Sequence, residues 1–144
     1  MESYIRYYPP DVFPSLWEKL DELIEKGELA ATEEVLIELG KKDDDVYKWA
    51  KDREFMFVPL NEEIQFSLKN ILIKYKKLVG ETKNRSSADP WVIALAQINN
   101  CSVITAEKPR GNLNKPKIPD VCRALNIPCI NLLQFFREQN WIFR

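Results

Sequence analysis

The chain alternates short apolar runs with longer stretches in which apolar positions recur every three or four residues. Leu16, Trp17, Leu20, Leu23 and Ile24 are the first such set, and side chains at this spacing share one face of a helix. Pro14, followed by Ser15 and Glu18 at capping-box spacing, predicts where that helix starts, and Gly27 is its natural stop after Lys26. Leu29-Ala30-Ala31-Thr32 predicts a short buried strand leading straight into a second helix, whose Val35, Leu36 and Leu39 face the core and which ends at Gly40. Lys41 to Arg53 is dense in charge but keeps Val46, Trp49 and Ala50 at helical spacing, as a surface helix does. Phe55-Met56-Phe57-Val58 reads as a strand broken by Pro59, and Asn61 is placed to cap a helix from Glu62 to about Leu78.

Gly80 to Ser87 is polar and loop-like. Ala88 to Ile98 differs in kind, because Trp91, Val92, Ile93, Ala94, Leu95 and Ala96 are apolar all round, the pattern of a helix buried on most sides. Asn99-Asn100 closes it, and Cys101 to Thr105 reads as a buried strand. A basic loop from Lys108 to Lys117 follows, then a short helix from Pro119 to Leu125 and a last strand at Pro128-Cys129-Ile130. Asn131 and Gln134 sit at capping spacing for a terminal helix. Strands alternating with helices predict an α/β domain of βαβ units, with a parallel sheet and helices on both faces, over residues 1–144 as one domain. Sites in such sheets lie beyond the carboxyl ends of the strands.

Composition narrows the chemistry. There is no histidine among 144 residues, which excludes Ser-His-Asp and Cys-His nucleophile systems and a histidine general base. Three scattered cysteines, Cys101, Cys122 and Cys129, have no CxxC spacing; they read as small buried hydrophobes and do not make a tetrahedral zinc site. Carboxylates are plentiful, with 22 Asp and Glu, and all-oxygen sites suit Mg²⁺ or Mn²⁺. A net charge of −1 means that any nucleic-acid binding must come from a local patch. No apolar run approaches the ~20 residues that span a bilayer, and no signal peptide opens the sequence, so no membrane association and a cytoplasmic location are expected.

Three acids stand out by position. Asp89 lies in the first turn of the most apolar helix. There it can act as a dipole-stabilised end residue contributing roughly 0.3–1 kcal/mol; yet Ser86 or Ser87 could already cap, and a charge beside a buried segment is costly without a partner. Glu107 follows the strand Cys101–Thr105 at its carboxyl end, where it reads either as a site residue or as a solvated loop acid. Glu38 lies one position before core-facing Leu39 and by itself reads as a surface helix residue. Asp43-Asp44-Asp45 reads as a solvated helix start, not a metal cluster. Lys108, Arg110, Lys115 and Lys117 follow Glu107 and could hold an RNA backbone, or simply solvate a polar loop.

An ordered set of motifs runs over nearly the whole chain: Tyr7-Tyr8, Asp11, Pro14 and Trp17; Glu34-Val35-Leu36-Ile37-Glu38-Leu39; Ala88-Asp89-Pro90-Trp91-Val92-Ile93-Ala94; Val103-Ile104-Thr105-Ala106-Glu107; and Lys117-Ile118-Pro119-Asp120-Val121-Cys122. In this it resembles the PIN-like domain family of prokaryotic toxin–antitoxin type. The resemblance implies a three-layer α/β/α sandwich with a short parallel sheet and an acidic pocket for Mg²⁺ or Mn²⁺. It implies a metal-dependent ribonuclease with Glu38, Asp89 and Glu107 as catalytic and metal-binding residues. The partners implied are an RNA substrate and an antitoxin protein, with a homodimer as a further arrangement.

One part of the pattern is missing. PIN-like domains begin with a strand that carries an Asp, and that strand belongs just before Glu2 to Tyr8. The sequence is therefore expected to be shortened at its N-terminus relative to the family, without the central strand and the first metal-binding acid, and the resemblance leaves open whether this form is active. Three explanations stay open: a start that lies upstream, a degraded relative, or another segment or a second chain filling the position. The alternative function is a non-catalytic PIN-like module that binds a protein partner or nucleic acid; a structural α/β domain with scattered acids is a third reading.

Overall fold

The computed structural model describes residues 7–42, 45–78 and 88–144. The opening Glu2 to Arg6, Asp43 and Asp44, and the loop from Gly80 to Ser87 lie outside the described residues. The chain divides into two compact units, Met1–Pro59 with Ile142–Arg144, and Leu60–Trp141.

The first unit contains α1 (Pro14–Glu25), β1 (Ala31–Thr32), α2 (Glu33–Gly40), α3 (Asp45–Lys51), a 3₁₀ turn at Glu54–Met56 and β2 (Phe57–Val58). The apolar stripe of α1 is buried as the spacing requires: Leu16, Trp17, Leu20, Leu23 and Ile24. The predicted capping box is corrected. Pro14 holds the first helical position, Phe13 is the N-cap, and no side chain among the described residues caps the end; Ser15 is already inside the helix. At the other end Gly27 adopts φ 72°, its N–H donates to Ile24 O at 3.1 Å, and that of Glu28 reaches Leu23 O at 2.9 Å. This paired closure needs a left-handed residue, which glycine adopts without a Cβ clash.

β1 and β2 pair in parallel, with Ala31 opposite Phe57 and Thr32 opposite Val58. Ile24, Ala31, Ala50, Met56 and Phe57 form a buried cluster against which Leu29, Val35, Leu36, Leu39 and Trp49 pack. Arg53 ties α1 to the segment after α3. Its Nε and Nη2 donate to the two Asp21 oxygens at 2.5 and 2.9 Å, its Nη1 to Trp49 O at 3.0 Å, and its guanidinium lies 4.4 Å from the Trp49 ring centroid.

The second unit contains α4 (Glu62–Lys74), α5 (Asp89–Asn99), β3 (Val103–Ile104), α6 (Ile118–Ala124), β4 (Cys129–Ile130) and α7 (Leu132–Glu138). Asn61 caps α4 as predicted, its Oδ1 accepting the Ile64 N–H at 2.8 Å. The Asn131–Gln134 box at the head of α7 is closed in both directions at 2.8 Å. α4 packs on α5, each with a buried face: Ile64, Leu68 and Ile71 on one, Ile93, Ala94 and Ala96 on the other. β3 and β4 pair in parallel, Val103 opposite Cys129 and Ile104 opposite Ile130. Asn100, Asn126 and Asn140 all take positive φ, of 52°, 57° and 56°. Each closes a helix the way Gly27 does, asparagine tolerating that region better than other side chains.

The chain is therefore of mixed α/β type with short parallel strands. Two features differ from the reading of the sequence. The described strands form two separate two-stranded sheets instead of one continuous sheet, and each predicted strand contracts to two residues. At Phe55–Val58 the cause is local: Glu54–Met56 winds into a 3₁₀ turn closed by Met56 N–H to Arg53 O at 3.0 Å. Helix α4 also stops short of Leu78, because Tyr75 leaves helical geometry at φ −124°, ψ 60°. Among the described residues no helix is long and apolar enough to cross a membrane.

Candidate functional site

The loop from β3 to α6 is held by a set of side-chain to backbone hydrogen bonds. Thr105 continues the strand pairing, its N–H donating to Ile130 O at 3.0 Å. Its hydroxyl then accepts the Glu107 N–H at 3.1 Å, a turn that lifts Glu107 off the carboxyl end of β3. Glu107 is half-buried. Its Oε2 accepts the N–H of Ile118, the first residue of α6, at 3.0 Å. Its Oε1 takes no hydrogen bond from the described residues.

Asp120 holds the same loop from the other side. Its carboxylate accepts three backbone N–H groups: Arg110 at 2.9 Å, Gly111 at 2.8 Å and Lys117 at 2.8 Å. The residue is buried. Burial alone would raise its pKa, but the three N–H donors and the nearby charge of Arg110 outweigh it and hold the carboxyl below its ordinary range. Sequence reasoning did not nominate Asp120. The available signal was an acid three positions past a helix N-cap, which ordinarily marks only a local cap.

The four predicted cations sit on this loop. Lys108, Arg110 and Lys115 are exposed and Lys117 is half-buried. Arg110 Nη1 donates to Lys115 O at 3.2 Å, bridging the two sides of the loop. With the N–H groups of Arg110, Gly111 and Lys117 bonded to Asp120, the loop leaves Lys108, Arg110 and Lys115 exposed.

Asp89 is the first residue of α5 and is 8% exposed. Ala88 is the N-cap, and no side chain among the described residues caps that end; Ser86 and Ser87 are outside the described residues. Helix α5 also packs against β3, the strand that leads to Glu107. Glu38 is half-buried on α2, in the first unit. Among the described residues no group of three or more Asp, Glu or Cys side chains is close enough to hold a metal ion. Asp45, the describable member of the acidic run, lies in the first turn of α3, as a solvated helix start should.

The cysteines correct another expectation, since Cys101 is exposed, Cys129 half-buried and only Cys122 fully buried. Cys122 and Cys129 share a hydrogen bond, which with burial pushes the Cys122 thiol up. The same bond lowers Cys129, against burial and the negative charge of Glu107. In the first unit the buried Thr32 hydroxyl, at the carboxyl end of β1, has no hydrogen-bond partner among the described residues.

Residues 1–143 match the model of a family described as a domain of unknown function, DUF4411. No curated protein and no solved structure matches the chain.

Proposed function

The chain belongs to the DUF4411 family, and we propose that it is a metal-dependent ribonuclease of toxin type, with carboxylates that bind Mg²⁺ or Mn²⁺ and a basic loop that binds the RNA backbone. The observation that carries this reading is Glu107. It stands just past the carboxyl end of a parallel strand, where ligands of α/β proteins bind. One of its oxygens is fixed by Ile118 N–H and the other is left without a hydrogen bond from the described residues. Exposed Lys108, Arg110 and Lys115 follow it directly.

The donor chemistry fits a hard cation. Asp89 and Glu107 offer oxygen only, and Mg²⁺ commonly uses one or two carboxylates and completes its shell with water and substrate phosphate, so a preformed trio is not required. Glu38, on α2 of the first unit, is carried as a metal-binding acid by the resemblance to PIN-like domains alone. When bound, such an ion supplies Lewis acidity toward a water molecule and toward the phosphate under attack. The protein's own part is to present Asp89 from the rigid head of α5 and Glu107 from the loop after β3. Lys108, Arg110, Lys115 and Lys117 neutralise backbone phosphates, so that binding weakens with salt. A three-layer PIN-like sandwich and restraint by an antitoxin protein are the further parts of this proposal; parallel pairing in both sheets supports the first.

A second reading is a non-catalytic PIN-like module that binds nucleic acid or a protein partner. It is favoured by the commitment of Glu107 Oε2 to Ile118 N–H, which gives that acid a structural task. Melting with and without Mn²⁺ separates the two. A Mn²⁺-dependent rise in Tm in the wild type that is lost in Asp89→Asn supports the nuclease; equal melting in both proteins with and without the ion overturns it.

A further inference from the structure

Two acids close the loop between β3 and α6 from opposite directions. Glu107, at its start, takes the N–H of Ile118 at its end. Asp120, one turn into α6, takes two consecutive N–H groups from the middle, Arg110 and Gly111, and a third from Lys117. Gly111 has φ 76°, so the chain reverses at the point that Asp120 grips. Pro116, next to the clamp, is fully buried. A loop of this length without its clamp samples many conformations, and its cations then have no fixed spacing.

We propose that Asp120 is a positioning residue, which locks the 107–117 loop in one conformation and so sets both the aim of Glu107 and the spacing of Arg110, Lys115 and Lys117 against a nucleic-acid backbone. The part concerning Glu107 rests on the nuclease reading; the clamp does not. The carboxylate is needed because it accepts from all three donors. An amide offers one oxygen, and its NH₂ opposes the remaining N–H groups.

The test compares wild type with Asp120→Asn by three readouts. Hydrogen exchange should accelerate roughly tenfold or more in the 107–117 segment while α4 and α5 keep their protection. Affinity for fluorescein-labelled polyuridylate, measured in EDTA, should fall roughly threefold or more. In RNA cleavage, the Mn²⁺ concentration giving half-maximal rate should rise more than the rate at saturating Mn²⁺ falls, a split that general loss of structure does not produce. Unchanged exchange in the loop, exchange accelerated throughout the second unit, or unchanged polyuridylate affinity each overturns the proposal. If the wild type cleaves nothing, the nuclease reading fails, while exchange and binding in EDTA still decide the clamp. Should Asp120→Asn not fold, Asp120→Ser, which keeps one short acceptor, takes its place with the same outcomes.

Discussion

Asp120 Oδ1 accepts the N–H of Gly111 at 2.8 Å, across nine positions of chain. An acid on a helix thereby shapes a loop that precedes the helix, and the loop carries every cation proposed to meet RNA. The stability of that arrangement depends on the carboxylate being ionised.

Asp120 should accordingly make the protein sensitive to acid. Its pKa in the folded chain lies below the ordinary value, about 3.9 in an unfolded chain. A depressed carboxylate contributes stability that is fully present above the unfolded pKa and lost as pH falls through the folded one. The difference in Tm between wild type and Asp120→Asn should therefore hold steady from neutral pH to about pH 4 and close below it. A gap that widens on acidification reverses the sign and rejects this role.

Asn61 caps α4, its Oδ1 2.8 Å from Ile64 N. Asn61→Ala leaves that N–H without its acceptor and should cost about 1 kcal/mol. Denaturant unfolding followed by circular dichroism reads this directly. Asn61→Asp should retain the stability, since its carboxylate accepts the same bond and favours the helix N-terminus.

Thiol accessibility should be graded by burial. Cys101 is exposed, Cys129 half-buried and Cys122 fully buried with its pKa pushed up, and the thiolate is the reactive form. Native protein treated with a maleimide should label at Cys101 first and leave Cys122 unmodified until denaturant is added. Peptide mass spectrometry identifies the order, and early labelling of Cys122 contradicts the packing of α6.

Much of the helical framework was legible because it depends on local chemistry. The stripe from Leu16 to Ile24, the stop at Gly27, the cap at Asn61 and the box at Asn131 and Gln134 all follow from neighbouring residues. Ser15 misled because Pro14 takes the first helical position and moves the boundary. Strand lengths were not legible, since a short apolar run does not show how far its partner stays in register; Phe55 and Met56 leave the strand for a 3₁₀ turn. In the candidate site, the pattern put Asp89 at the head of α5 and Glu107 after β3, as the structure does. Asp120 was missed because its partners at Arg110 and Gly111 are brought to it by the path of the loop, which no periodicity encodes.

Cleavage of a labelled single-stranded RNA by the purified chain, in Mn²⁺, in Mg²⁺ and in EDTA, tests the nuclease reading most directly when Glu107→Gln is assayed beside the wild type. The glutamine oxygen can still accept the Ile118 N–H, so the variant should melt with the wild type. The wild type should cut only with a divalent ion, and Glu107→Gln should lose about a hundredfold or more of that rate. No cleavage by the wild type in either ion, cleavage that persists in EDTA, or full activity in Glu107→Gln would contradict it.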